Sequence, residues 1–122
     1  TYVNAQVYFE GFDLSFYVST QMSLRQKVVF HGDKGRIEVH APFNARVYDY
    51  ARITIHSIDN SHAEEIQFGE VNQYTLQIER VNQAIEKLDQ SRIFSLENSK
   101  LNQKVIDAIY KSGMSRKREK LF

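Results

Sequence analysis

The stretch KVVFHGDKGRIEVH, residues 27–40, has the pattern of two β-strands joined by a tight turn. Apolar side chains alternate with more polar ones on both sides of Gly32-Asp33-Lys34-Gly35. This period of two predicts strands over Lys27–His31 and Arg36–His40. The four residues between them predict a hairpin connection, because two glycines can supply the positive φ that such turns require.

The same alternation predicts more strands on either side of this hairpin. These further strands cover Tyr2–Glu10, Leu14–Ser19, Arg46–Tyr50, Arg52–Ile58 and Glu64–Phe68. The polar segment Gln21–Arg25 is typical of a loop, and Pro42, the single proline, marks a break.

The period of the apolar residues changes in the second half of the chain. Spacings of 3 and 4 residues there predict an amphipathic helix with Asn72 as its N-cap. Its apolar stripe comprises Val71, Tyr74, Ile78, Val81, Ile85 and Leu88. A second helix is expected to begin near Ser95 and to end at Gly113. Its stripe comprises Leu101, Val105, Ala108 and Ile109.

Strands followed by helices favour the α+β class. We expect one domain over residues 1–122, with a large, mainly antiparallel open sheet. The helices would pack on one face of this sheet, and the other face would be open for dimerisation.

The two faces of the predicted sheet differ in character. The core face comprises Val7, Phe9, Leu14, Phe16, Val28, Phe30, Ile37, Val39, Ile53 and Ile55. The other face is mixed and rich in tyrosine, a residue enriched at the centres of interfaces. We therefore expect a homodimer through Tyr8, Tyr17, Val29 and Tyr48. The alternative is ordinary surface tyrosine, since strands favour aromatic residues anyway.

Composition excludes several classes of function. The 122 residues carry a net charge of +1, which gives no general attraction to nucleic acid or to a membrane. The chain has no cysteine, which excludes disulfides and fits a reducing cytoplasm. It starts at Thr1 directly in a strand pattern, which indicates a fragment or a processed product. The basic residues near the C-terminus are typical of a solvated chain end.

The sequence has no recognisable catalytic or cofactor motif of its own. Its five glycines form no Gly-x-Gly-x-x-Gly and no phosphate loop, so we expect no cofactor in this chain. No metal is expected either, because His31, His40, His56 and His62 have no metal-ligand spacing. No Ser-His-Asp arrangement is present, so no catalytic residue is assigned.

Several strings resemble the C-terminal domain of the glucose–fructose oxidoreductase, inositol dehydrogenase and rhizopine catabolism family (Gfo/Idh/MocA). Residues 30–39, FHGDKGRIEV, resemble the family's Gly-Thr-x-Gly-x-Ile-x-Ile hairpin, with Asp33 at the threonine position. The remaining strings follow in the family's order and together cover nearly the whole chain. They are LSFYVSTQ (14–21), PFN (42–44), VNQYTLQIE (71–79), IFSLENS (93–99) and VIDAIYKS (105–112).

The resemblance implies that the parent protein has two domains. The first would be a Rossmann domain that holds NAD or NADP, and this chain would be the second. Such enzymes transfer a hydride between the nicotinamide and a sugar or polyol. The family's Glu-Lys-Pro and Gly-x-x-x-Asp-x-x-x-His motifs are not in this chain. The fragment alone is therefore expected to be inactive.

The resemblance also implies substrate contacts. Gln21 and Arg25 would bind sugar hydroxyls, because their loop matches one that reaches towards the substrate. Gln73 and Tyr74 match the start of a helix that lines the same pocket. Two alternatives stay open, since Arg25 also fits a solvated loop and Tyr74 also lies on the core stripe of its helix. The rival functional hypothesis is a free-standing, non-enzymatic dimeric module that binds a ligand or a protein.

Overall fold

The computed structural model describes residues 1–45, 50–70 and 72–121. Within them the chain forms six strands and two helices. They are β1 (Tyr2–Phe9), β2 (Phe12–Ser19), β3 (Lys27–Gly32), β4 (Gly35–His40), β5 (Arg52–Ser57), β6 (Ala63–Gln67), α1 (Gln73–Lys87) and α2 (Leu96–Ser115). The α+β class and the antiparallel strands are confirmed. The predicted strand at Arg46–Tyr50 lies outside the described residues except for Tyr50, which belongs to no strand.

The six described strands form two hydrogen-bonded sheets, whereas we predicted one large sheet. β1 pairs with β2, and the other four strands pair in the order β3-β4-β5-β6. Alternation shows which residues are extended, but it does not show which strands pair, and this explains the difference. The chain divides into two compact units, one with the four-stranded sheet and one with β1, β2, α1 and α2.

The turn between β3 and β4 sets the register of the four-stranded sheet. Gly32 pairs with Gly35, which leaves Asp33 and Lys34 as a two-residue turn. Of the two glycines only Gly35 has a positive φ, at +143°. A Cβ atom on Gly35 would lie 2.2 Å from the backbone oxygen of His56 on the neighbouring strand. Only glycine therefore fits at this position without a shift of the backbone.

The predicted apolar face of the four-stranded sheet is confirmed by the register. Val28, Val39 and Ile53 are cross-strand neighbours. Phe30, Ile37 and Ile55 form the next such row, so these six side chains share one side of the sheet. This side is not sealed in the structure, since Phe30 is 63% exposed. Among the described residues, the buried apolar ones are Val7, Ala41 and Ala84.

The first helix begins where its cap predicts. The side chain of Asn72 accepts hydrogen bonds from the backbone N–H groups of Tyr74 (3.0 Å) and Thr75 (3.3 Å). The helix ends at Lys87, and its C-cap Leu88 has the left-handed φ of 52°. The one buried residue of α1 is Ala84, which is not on the predicted apolar stripe.

The second helix begins as predicted but ends later. Ser95 caps it, and its hydroxyl accepts from the N–H of Asn98 at 3.1 Å. The prediction that Gly113 ends this helix is wrong, because α2 continues to Ser115 and Arg116 takes the left-handed C-cap position with φ 54°. The half-buried residues Val105, Ala108 and Ile109 belong to the predicted stripe.

Two Gly→Ala substitutions are expected to have opposite effects on stability. Gly35→Ala should lower the free energy of unfolding by about 3 kcal/mol, because it combines an unfavourable φ with overlap against a carbonyl oxygen. Gly113→Ala should raise it by about 0.5–1 kcal/mol, because alanine favours a helix interior. No heavy atom lies within 4 Å of the Cβ position at Gly113. Urea unfolding of both variants tests this, and a Gly35→Ala variant as stable as the wild type would contradict it.

Candidate functional site

The loop that precedes β3 carries two of the predicted substrate-binding residues, Gln21 and Arg25, and both are exposed. The start of the loop is held by one hydrogen bond to the end of β2 and by two between Thr20 and the N-terminal residue. The N–H of Gln21 donates to the hydroxyl of Ser19 at 3.1 Å. The amino group of Thr1 donates to the hydroxyl of Thr20 at 3.0 Å, and the N–H of Thr20 donates to the carbonyl of Thr1 at 3.1 Å. Arg25 thus presents its donors to solvent from an anchored loop.

Gln26 anchors the other end of this loop, and it is not among the residues predicted from the sequence. Its side-chain oxygen accepts hydrogen bonds from the N–H groups of Phe43 (3.3 Å) and Asn44 (3.1 Å). Its backbone carbonyl accepts from the N–H of Ala41 at 3.4 Å. Gln26 therefore holds the loop of Gln21 and Arg25 against the Pro42-Phe43-Asn44 segment.

The other predicted pair, Gln73 and Tyr74, occupies the first turn of α1. The capping bond to Asn72 fixes the backbone of Tyr74, and its side chain is 61% exposed. This pair belongs to the unit with the helices, whereas Gln21 and Arg25 belong to the unit with the four-stranded sheet. The two residues of each pair thus lie in the same unit.

The polar side of the four-stranded sheet has three cross-strand rows of alternating charge. Two outer rows contain cations and histidines, and the row between them contains the carboxylates. The rows are Lys27–His40–Arg52–Gln67, Val29–Glu38–Thr54–Glu65 and His31–Arg36–His56–Ala63. We term this surface of twelve residues the striped face. Val29, a predicted dimer-face residue, lies in its acidic row.

Glu38 is the centre of the charge network on the striped face. Its carboxylate accepts hydrogen bonds from the Lys27 ammonium and, at 3.1 Å, from Nε of Arg36. Nε2 of His56 lies 3.7 Å from the same carboxylate. The bonds from Lys27 and Arg36 lower the pKa of Glu38 to about 2. The carboxylate therefore stays ionised over the whole range in which histidine changes charge.

Further polar contacts join the rows of the striped face. Arg52 forms an ion pair with Glu65, with Nη1 and Oε2 2.6 Å apart. Nε2 of His40 and the hydroxyl of Thr54 are 3.0 Å apart. Arg36 also donates to the side-chain oxygen of Asn60, beyond the end of β5. The acidic row is thus bonded to both of its basic neighbours.

The predicted dimer-face tyrosines differ in their surroundings. Tyr17 on β2 is 54% exposed. Tyr8 on β1 has a partner within its own unit, because the guanidinium of Arg118 lies over its ring, 4.7 Å from the centroid. Glu119, the next residue, forms an ion pair with Lys111 at 3.0 Å and accepts from the hydroxyl of Ser115 at 3.0 Å. Tyr48 lies outside the described residues.

Comparison with models of known protein families finds no match, and comparison with curated proteins finds none. In the part of the chain that the structure describes, no helix combines the length and the apolar character that crossing a bilayer requires. In residues 1–45, 50–70 and 72–121, no three histidine or carboxylate side chains are grouped as metal ligands.

Replacement of the central carboxylate should destabilise the chain in a pH-dependent way. Because the pKa of Glu38 lies below its ordinary value, its ion pairs stabilise the fold at neutral pH. This contribution is lost as the pH falls from about 4.5 through about 2. Glu38→Gln should therefore unfold at lower urea concentration than the wild type at pH 7, and the difference should vanish near pH 2.

Glu64→Gln is the matched control, because Glu64 pairs with Ile55 and so lies on the opposite side of the same sheet. Its unfolding midpoint should stay close to that of the wild type at both pH values. Equal midpoints for the Glu38→Gln and wild-type chains at pH 7 would contradict the role given to Glu38.

Proposed function

We propose that this chain is the C-terminal, substrate-side part of an NAD- or NADP-dependent oxidoreductase that acts on a sugar or a polyol. In this proposal the chain contributes substrate contacts and an oligomerisation surface. The cofactor and the catalytic residues belong to a Rossmann domain that precedes it in the parent protein. The chain by itself is inactive.

The observation that carries the proposal is the set of hydrogen bonds by which Gln26 anchors the Gln21–Arg25 loop. The loop Gln21–Arg25 and the segment Pro42-Phe43-Asn44 each resemble the family, although 16 residues lie between them. Gln26, which directly follows the loop, accepts two hydrogen bonds from Phe43 and Asn44 of the second segment and a third from Ala41, directly before that segment. A polar loop that is anchored in this way supports a role in presenting donors to a ligand.

The incomplete burial of apolar side chains gives independent support to this proposal. Phe30 and Ile37 are exposed on the apolar side of the four-stranded sheet. Apolar patches of this kind mark surfaces that other protein segments cover. A domain that functions as one part of a larger protein has such surfaces, whereas a free-standing module must cover them itself or by self-association.

The chemistry of the two candidate pairs suits a polyhydroxylated substrate. The guanidinium of Arg25 has five N–H donors in a rigid fork, and the amides of Gln21 and Gln73 both donate and accept. The phenol of Tyr74 adds a further hydroxyl. These groups orient hydroxyls without reacting with them, which leaves the hydride transfer to the other domain.

The decisive experiment is to express the full open reading frame that contains this chain and to assay nicotinamide reduction with a panel of sugars and polyols. Activity of that protein, together with inactivity of the 122-residue chain, is the expected result. A reading frame with no Gly-rich βαβ unit and no nicotinamide-dependent activity would favour the non-enzymatic module instead.

Arg25→Ala in the full-length protein should raise KM more than it lowers kcat. The reason is that the contact exists in both the ground state and the transition state. A lost charge-assisted hydrogen bond of about 1.5–3 kcal/mol corresponds to a rise in KM of roughly tenfold or more. Lys34→Ala, in the turn of the β3–β4 hairpin, is the control and should leave both constants unchanged. Unchanged constants for Arg25→Ala would remove Arg25 from the site.

We also propose that the chain forms a homodimer, with Tyr8 and Tyr17 of the two-stranded sheet and Val29 of the four-stranded sheet as contact residues. The exposure of Tyr17 supports this proposal, and so does that of Val29. The predicted fourth member is Tyr48.

Tyr17→Glu should weaken the dimer, because it places an unpaired charge in the interface. Sedimentation at high micromolar concentration measures the effect. Tyr110→Glu is the matched control, since Tyr110 is an exposed tyrosine on α2, outside the proposed surface. Equal dissociation constants for the two variants would contradict the assignment of Tyr17.

A further inference from the structure

We propose that the open edge of β1 pairs with β1 of a second copy of this chain. The two strands run antiparallel and are centred on Ala5, so that two β1–β2 hairpins join into one continuous sheet. The inference rests on the proposed dimerisation. It adds the backbone contact that holds the two copies together and the alignment of the strands within it.

The register of the β1–β2 hairpin follows from contacts at its two ends. At one end the N–H of Thr20 donates to the carbonyl of Thr1 at 3.1 Å. At the other end the rings of Phe9 and Phe12 are stacked, with their centroids 4.6 Å apart. Both contacts fit a single register, with a two-residue turn between the strands.

This register determines which backbone groups of β1 face away from β2. Alternate residues of an antiparallel strand bond to the same neighbour. Because the bond from Thr20 to Thr1 continues the ladder, the odd-numbered residues of β1 bond to β2. The residues whose N–H and C=O groups face the other side are Tyr2, Asn4, Gln6 and Tyr8. Of the described strands only β2 pairs with β1, so this edge is a template for a further strand.

A groove beside β1 gives a second strand room to enter. Its volume is about 1110 Å³, and every residue from Tyr2 to Glu10 lines it. Ala108 and Ile109 of α2 and residues 118–121 also line it. Small-molecule sites commonly have volumes of about 300–1,000 Å³. A groove of this size that follows a whole strand suits an extended segment better than a compact ligand.

The sequence of β1 is complementary to itself about Ala5. In an antiparallel pair centred there, each valine faces a valine, each amide faces an amide and each tyrosine faces a tyrosine. The pairs are Val3–Val7, Asn4–Gln6 and Tyr2–Tyr8. The tyrosine and amide pairs are those whose backbone groups face outwards, which gives about eight N–H···O=C bonds between the copies. A shift by two residues would instead place Tyr2 opposite the charged Glu10.

The composition of β1 favours this pairing. Edge strands that must stay apart commonly contain charged residues or proline, and Tyr2–Phe9 contains neither. Tyr2 is 52% and Tyr8 48% exposed, so the tyrosine pairs remove apolar surface from water when the strands join. An isolated two-stranded hairpin is only marginally stable in water. Pairing doubles the number of strands in the sheet.

Single cysteine variants test the alignment, since the chain has no cysteine of its own. The two Ala5 residues form a pair without mutual hydrogen bonds, with Cα atoms about 4.5 Å apart, which a disulfide can span. Ala5→Cys should therefore give a covalent dimer on a non-reducing gel after mild oxidation. Gln6→Cys is the matched control. Its two thiols would lie on a diagonal of about 7–8 Å, so this variant should run as a single chain.

Two double variants test the same contact without a cysteine. Asn4 and Gln6 are exposed, and each faces the other across the proposed pair. Asn4→Lys with Gln6→Glu creates two attractive pairs, whereas Asn4→Lys with Gln6→Lys places like charges opposite each other. Sedimentation equilibrium at one ionic strength should give the first variant a dissociation constant at least about tenfold lower than that of the second. Circular dichroism checks that both variants are folded.

The outcomes distinguish this inference from the dimerisation on which it rests. A wild-type chain that is monomeric at high micromolar concentration would contradict both. A wild-type dimer with no disulfide in Ala5→Cys and equal dissociation constants for the double variants would overturn the pairing of β1 and leave the dimer intact. A disulfide in Gln6→Cys but not in Ala5→Cys would overturn the alignment about Ala5. If Ala5→Cys does not fold, the double variants decide.

Discussion

The approach of Gly35 to the carbonyl of His56 is the constraint on which the four-stranded sheet depends. A side chain cannot enter this space, and the two-residue turn before Gly35 leaves no room for β3 to slip along β4. A slip of one residue would exchange the two faces of the strand. The apolar row of Phe30 and Ile37 and the polar network around Glu38 therefore exist because this register is maintained.

Much of the secondary structure is predictable because it depends on local periodicity. Alternation identified the strands and the two faces of β3 to β5, and short polar side chains identified the caps Asn72 and Ser95. The end of α2 was not predictable from Gly113, because the contacts beyond the helix decide it. The hydroxyl of Ser112 donates to the carbonyl of Lys117 at 2.7 Å, and that of Ser115 accepts from the N–H of Lys117 at 3.3 Å. These bonds favour a helix that continues to Ser115. The division of the strands into two sheets depends on long-range pairing, which alternation does not encode.

Only part of the candidate site could be predicted, and that part depended on a family resemblance, not on local periodicity. Gln21, Arg25, Gln73 and Tyr74 were identified by resemblance, and no pattern in the residues themselves points to them. Gln26 was not predictable, because its side-chain oxygen accepts from backbone N–H groups 17 and 18 residues away. When the partner of a side chain is the backbone, no particular residue type at the partner position is required. The sequence therefore does not indicate the contact. Likewise, nothing in the sequence predicts that Arg118 lies over the ring of Tyr8, since both are ordinary surface residues.

The alternation of charge on the striped face also determines how far its field extends. Rows of opposite sign that lie about 7 Å apart largely cancel each other at distances greater than their spacing, and this spacing is shorter than the screening length of physiological salt. A diffusing molecule therefore senses little more than the small net charge until it almost touches the sheet. Within contact range a molecule senses the field of each row separately. If a surface of matching stripes is shifted by one row, each attraction between rows becomes a repulsion. Such a surface gives weak long-range steering but strict discrimination of alignment at the moment of contact.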